Sequence, residues 1–301
     1  MNIAFLLTLY TSPDQANIFI NQILDYPKSK VFIHIDRKAS WIKEKLIQDE
    51  RVYIIAESID VEWGSFSHIE SILYLFENAK ITGDFDYFSI HSGHDLAIKP
   101  IKQLAEYLIK DNSTAYLDCS SLPIKEWGFK GGFERIELKW PSIFIKKIDA
   151  KSPLRYMRFI YAYAHKLNLI KSRKLPKDIN FYGGSDWFTL NNDAVDFILN
   201  YLNTHPEFLN LFKKSLIGSE IFFNTLINNM PNKGNVKNNS NLRYIDWHNL
   251  DGQFVGSPKT LKSMDLHKLK NSEMYFARKF SLAEDSEVIN EILKFTVNKE
   301  N

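Results

Sequence analysis

The chain has 301 residues, 45% of them hydrophobic and 14% aromatic, enough to bury one large core or two modest ones. Its 38 Lys and Arg nearly balance 36 Asp and Glu, and the net charge of +2 gives no reason to invoke a nucleic-acid partner. A single cysteine, Cys119, excludes an intrachain disulfide and fits a reducing compartment; no apolar run approaches the roughly 20 residues of a membrane-spanning helix.

The start, Asn2 to Tyr10, lacks a basic leading region and breaks at Thr11-Ser12-Pro13-Asp14. It therefore predicts a buried first strand over Ile3–Leu9 rather than a targeting segment. Pro13 and Asp14 open a helix with Ile18, Ile20, Ile23 and Leu24 on one face. Val31–Ile35 predicts a second strand, ending in Asp36-Arg37-Lys38, and Val52–Ile55 a third. Ser67–Ala79 carries Ile69, Ile72, Leu73 and Phe76 at helical spacing. Tyr87–Ile90 predicts a fourth strand, followed by Ser92-Gly93-His94-Asp95, and Pro100 opens another helix. This alternation argues for a mostly parallel sheet with ligands at the carboxyl ends of its strands.

Between residues 146 and 177 there are ten Lys or Arg against one acid, Asp149, interleaved with Tyr156, Phe159, Tyr161 and Tyr163. Such a stretch is either a solvated helix face or a surface for anionic lipid. Phe181-Tyr-Gly-Gly-Ser-Asp-Trp187 follows, then helices over Asp193–Tyr201 and Ser219–Asn229. Asn229–Asn241 reads as a surface loop, Leu242–Trp247 as a strand, and Ser286–Thr296 as an amphipathic helix. No repeat and no linker divides the chain, so a single domain spanning 1–301 is expected.

No glycine-rich phosphate loop and no zinc-ligand spacing occurs. One Asp-x-Asp pair, Asp84 and Asp86, stands before the fourth strand, where a turn beside Gly83 would want Asp in any case. A metal-dependent sugar transferase using this pair is the alternative reading.

Six segments, in order, resemble glycosyltransferase family 14, the core-2/I-branching N-acetylglucosaminyltransferases and peptide xylosyltransferases. They are Val31-Phe-Ile-His-Ile-Asp-Arg-Lys38, Trp63-Gly-Ser-Phe-Ser67, Tyr87 through Ser92-Gly-His-Asp95 to Pro100, Gly183-Gly-Ser-Asp-Trp187, Gly218-Ser-Glu220 and Phe276-Ala-Arg-Lys-Phe280. The resemblance covers about residues 1 to 285. It implies a GT-A-like α/β fold with a mostly parallel central sheet flanked by helices. Residues 1–120 would form the nucleotide-binding half and 121–301 the acceptor and catalytic half. It also implies an inverting, metal-independent transfer of a sugar from UDP-sugar, with UDP-GlcNAc or UDP-xylose as donor, to a glycan hydroxyl, giving a β-linkage. The family's amino-terminal anchor and cysteines are missing from the sequence, which suggests a bacterial-type cytoplasmic relative. Residues 146–177 would then make peripheral contact with the inner face of the membrane.

The resemblance assigns roles residue by residue. Glu220 matches the family's catalytic base; as a first-turn glutamate it would equally complement a helix dipole. Lys279, with Arg278 beside it, matches the diphosphate clamp, and Lys259 or Lys262 stands near a second cation of drifting spacing. Asp36 is placed as a nucleoside contact, with Lys38 nearby, or as a turn Asp. Ser92, Gly93 and Asp95 would border the nucleotide pocket. Glu134, Arg135 and Trp187 fall where the family contacts sugar. No metal or other cofactor is expected. A relative that binds glycan without catalysis is the non-enzymatic alternative.

Overall fold

The computed structural model describes residues 1–149, 151–248 and 257–297. In β1 (Ile3–Leu9), Ile3, Phe5, Leu7 and Leu9 face one core and Ala4 and Leu6 the other, so the strand is apolar but for Thr8 because both its faces are covered. Helix α1 (Pro13–Leu24) starts with Pro at its first turn and lays Ala16, Phe19, Ile20 and Ile23 on the first of these faces. The chain continues through β2 (Ser29–Ile35), a 3-10 segment (Arg37–Lys45) and β3 (Val52–Ile54) to α2 (Phe66–Thr82). Ile69, Ile72, Leu75 and Phe76 of α2 cover the opposite face. Next come β4 (Tyr87–Ser92), β5 (Asp95–Ala97), α3 (Ile101–Asp111), β6 (Ala115–Tyr116) and β7 (Cys119–Ser121).

The second half contributes α4 (Phe133–Glu137), α5 (Ser142–Ile145), α6 (Pro153–Lys166), β8 (Tyr182–Gly184), β9 (Thr189–Asn191) and α7 (Asn192–Thr204). It continues with α8 (Pro206–Phe212), α9 (Ser219–Asn228), β10 (Val236–Lys237), β11 (Arg243–Ile245), α10 (Leu266–Lys270), β12 (Phe276–Arg278) and α11 (Ser286–Thr296).

Seven strands form the main sheet in the order β10-β6-β9-β4-β1-β2-β3, all pairings parallel except those of β9. This is the expected mostly parallel α/β sheet flanked by helices. From β1 the chain moves outward to β2 and β3, and α2 then returns it to β4 on the other side of β1. The strand order therefore reverses between β1 and β4, and such a reversal leaves a crevice at the carboxyl ends of the two strands.

The short strands β3 and β11 fall within expected strands, whereas β6 and β9 leave no signal in the sequence. Ala115–Tyr116 and Thr189–Asn191 offer too few residues for period-2 alternation to register. Within the Asn-rich stretch read as a surface loop, Val236 and Lys237 pair with β6 at the sheet edge. A second sheet, β11-β12-β5, places Arg278 opposite Asp95.

Candidate active site

Beyond the carboxyl ends of β1 and β4 lies a connected set of charged side chains. Asp95 is fully buried at the start of β5, reached from β4 by a tight turn. Its carboxylate accepts from Ser92 Oγ at 2.8 Å and lies 3.1 Å from His91 Nδ1 and 3.4 Å from Arg278 Nε. Burial alone would raise its pKa, but Arg278, His91 and Arg243 outweigh that and hold it at about 2. His91, equally buried, is pushed down to about 4 by burial and by Arg243. Arg243 donates from one terminal nitrogen to Ser89 Oγ (3.0 Å) and to the carbonyl of Ile90 (2.6 Å).

Arg278 stacks on Trp187, with its guanidinium carbon 3.9 Å from the ring centroid. Next to Trp187 stands Asp186, 3.7 Å from His68 Nδ1. Burial lifts Asp186 to about 6, against the pull of Ser219, Arg278 and Arg135. Its Oδ1 is buried with no hydrogen-bond partner among the described residues. His68, in the first turn of α2, is held neutral by burial, at about 4.

Glu220 lies in the first turn of α9, as expected from its sequence. Arg135 of α4 donates to Glu220 Oε2 at 2.5 Å and stacks on Trp127, 3.8 Å from the ring centroid. The Glu220 side chain keeps 30% of its surface exposed, so it is reachable from solvent. Burial still dominates its titration: with Asp186 adding to it and Arg135 opposing, the carboxyl is pushed up to about 7.

The backbone explains this placement. Ile217, a β-branched residue, takes φ 51° immediately before Gly218-Ser219-Glu220, a conformation such residues avoid. Its N–H donates to the carbonyl of Gly64 at 2.7 Å, and Gly64 itself has φ +80°. The Trp63-Gly-Ser and Gly218-Ser-Glu segments, far apart in sequence, thus meet as one support for the start of α9. A Cβ on Gly218 would meet Ser215 Oγ at 2.0 Å, so a larger residue there must displace Ser215.

The other predicted residues divide. Asp36 directly follows β2, where its Oδ1 accepts from Lys38 N at 2.9 Å, which is the role of a turn Asp. Lys38 Nζ bonds Asp60 and lies 3.6 Å from both Asp36 and Glu62. Lys259 Nζ is held by buried Asp265 at 2.8 Å, and Lys262 lies 3.5 Å from Glu284. Lys279 differs: Nζ reaches Ser257 Oγ at 3.3 Å, and it has no carboxylate partner among the described residues. Gly93 packs against the core, because a Cβ there would meet Leu9 Cδ2 at 3.0 Å. Glu134 turns inward, accepting from the N–H groups of Lys130 and Gly132. Gly183 and Gly184 likewise make room for Trp127 and Cys119.

Asp84 and Asp86 lie at the other end of β4, roughly 20 Å along a six-residue strand from Ser92. Asp86 accepts there from the Asn2 N–H at 2.6 Å. Among the described residues no group of three or more His, Cys, Asp or Glu is arranged to hold a metal ion.

Sequence reasoning gave no role to His68, Asp186, His91 or Arg243. An arginine in an otherwise apolar strand signalled Arg243, since a buried guanidinium must find several acceptors.

Residues 3–275 match the family described as Core-2/I-Branching enzyme. The chain is 23% identical over 280 residues to human xylosyltransferase 1, covering 87% of this chain and 27% of that protein. It is 24% identical over 306 residues to Drosophila melanogaster xylosyltransferase oxt, covering 93% of this chain and 32% of that one. The chain thus spans about a quarter to a third of the length of these relatives. Among solved structures, mouse xyloside xylosyltransferase 1 in its apo form aligns with a TM-score of 0.33 at 10% identity, covering 75% of this chain and 81% of that one. The chain belongs to the Core-2/I-Branching enzyme family.

Proposed function

We propose that this family member is an inverting, metal-independent transferase that moves a sugar from UDP-GlcNAc or UDP-xylose to a glycan hydroxyl, with Glu220 as general base. The acceptor oxygen attacks the anomeric carbon and gives its proton to the Glu220 carboxylate. The bond from that carbon to the diphosphate breaks, UDP departs, and an α-linked donor yields a β-linked product. The observation that carries this reading is the state of Glu220: a carboxylate paired with Arg135 and partly open to solvent yet raised to about 7, where proton transfer near neutrality is most effective.

The negative charge growing on UDP needs fixed cations. Lys279 suits that task, being free of carboxylates among the described residues and anchored by its own carbonyl, which accepts from the Leu261 N–H at 2.9 Å. Arg278, committed to Trp187 and Asp95, contributes its field from just behind. Arg135 orients Glu220 and lowers its proton affinity. Asp186 Oδ1, buried without a partner among the described residues, suits a sugar hydroxyl that donates to it. Asp36 and Ser92 border the nucleoside end of the crevice, with Gly93 and Asp95 supporting that turn.

Incubating the protein with a panel of UDP-sugars and glycan acceptors in excess chelator tests this reading. The expected result is a β-linked product from one of the two named donors. Turnover that appears only after manganese is added would move the mechanism to a metal-assisted one, and binding without turnover would indicate a glycan-binding relative.

A further inference from the structure

Helix α6 has apolar side chains on two opposite faces. Inward, Ala162 and His165 are buried, Arg158 donates to the carbonyl of Phe144 at 3.3 Å, and the Tyr161 hydroxyl donates to the carbonyl of Lys139 at 3.0 Å. Outward, Tyr156 is 69% exposed, Ile160 64% and Phe159 57%, with Met157, Tyr163 and Leu167 beside them. At 3.6 residues per turn, positions 156, 160, 163 and 167 form one stripe along the solvent side. Isolated surface apolar residues are ordinary, but a continuous stripe of this kind marks an interaction surface.

The charge around the stripe says what covers it. Of the ten Lys and Arg from 146 to 177, Arg158 and Arg173 donate to backbone carbonyls. The other eight are exposed, and none makes a salt bridge among the described residues. Aromatic and aliphatic side chains flanked by unpaired cations fit a surface with anionic headgroups above a hydrocarbon layer. A second copy of this chain would instead bring two sets of like charges together.

We propose that α6 and its basic flanks dock the protein on an anionic lipid bilayer. The proposal is independent of the chemistry assigned to Glu220. Its link to that residue is mechanical: Ala162 of α6 packs with Trp140, Phe144 and Leu216 in one small core. The Leu216 N–H donates to the Arg135 carbonyl at 3.0 Å, just ahead of the turn into Glu220. Docking therefore fixes the orientation of Glu220 relative to the membrane.

Flotation of the full chain with phosphatidylcholine vesicles, with and without phosphatidylglycerol, tests the proposal. Binding is expected only with phosphatidylglycerol and should weaken at high salt. Each basic residue at such a surface is worth about fivefold in partitioning, so Lys171→Gln with Lys174→Gln should lower it roughly 25-fold. Tyr156→Ser with Ile160→Ser should lower it at least ~10-fold, with UDP binding unchanged in both variants. The proposal is overturned if the wild-type protein ignores phosphatidylglycerol vesicles at low salt, or if both variants float like wild type. It is also overturned if sedimentation shows a dimer that Tyr156→Ser/Ile160→Ser dissociates, since the stripe would then be a self-contact.

Discussion

Replacing Arg135 by Gln keeps hydrogen-bond donors near Glu220 but removes the cation 2.5 Å from its carboxylate. Glu220 stands at about 7 with that cation in place. A cation this close lowers a carboxyl by about 1–3 units, so its loss should carry the midpoint up by at least a full unit. At pH 7 the wild-type base is about half ionised; a rise of one to two units leaves roughly 10% to 1% ionised. Transfer at pH 7 should therefore fall about 5- to 50-fold and recover as the pH is raised. The assay is kcat/KM from UDP release between about pH 5 and 9.5, comparing the acidic limbs of the two proteins. An acidic limb that stays in place, or a loss equal at every pH, would refute the view that Arg135 tunes Glu220.

Further expectations concern stability and placement. Because the folded Glu220 holds its proton up to about 7 against an ordinary value of 4.5, the native state binds more protons than the unfolded chain in that window. The contribution of Glu220 to stability should therefore decline as pH rises from about 4.5 to 7, opposing that of His68 and His91, whose depressed values of about 4 add stability over the lower part of the same range. The melting temperature of Glu220→Gln should accordingly rise relative to wild type as the pH goes from about 4.5 to 7, and a difference that stays constant or runs the other way would contradict the assignment. Asp95→Asn removes the carboxylate beside Arg278 and His91, which should cost about 3–5 kcal/mol in denaturant unfolding; a loss below about 1 kcal/mol would show the pair to be solvated. Gly218→Ala drives a methyl into Ser215 Oγ and should displace Glu220, lowering kcat about 100-fold while circular dichroism stays native. Unchanged kcat would mean that the turn yields without moving the base.

Much of the first 110 residues was legible because long apolar segments and 3.6-residue periodicity report burial directly, as in Ile3–Leu9 and Phe66–Thr82. The position of Glu220 at the start of α9 was legible from the Gly218-Ser-Glu segment. The surroundings of that carboxylate were not. Arg135 lies 85 residues away from Glu220, and His68 comes from α2 and Asp186 from the loop between β8 and β9, so only the packing of these segments with α4 and α9 brings them together. Glu134 and Arg135 illustrate the limit: adjacent in sequence, one caps a turn inward and the other faces the catalytic carboxylate. Lys259 shows another limit, since no spacing rule announced that Asp265 would hold it. Gly93, expected to border the nucleotide pocket, leaves room for Leu9, as Gly183 and Gly184 do for Trp127 and Cys119.

The central claim is that Glu220 removes the proton from the acceptor hydroxyl and does nothing essential for holding UDP. Glu220→Gln preserves the shape of the side chain and its first-turn position while removing its basicity. Transfer by this variant should be measured beside UDP binding by calorimetry, with chelator in both experiments. The account predicts turnover reduced at least ~1,000-fold with UDP affinity unchanged; near-normal turnover, or a loss of UDP binding that accounts for the lost activity, would contradict it.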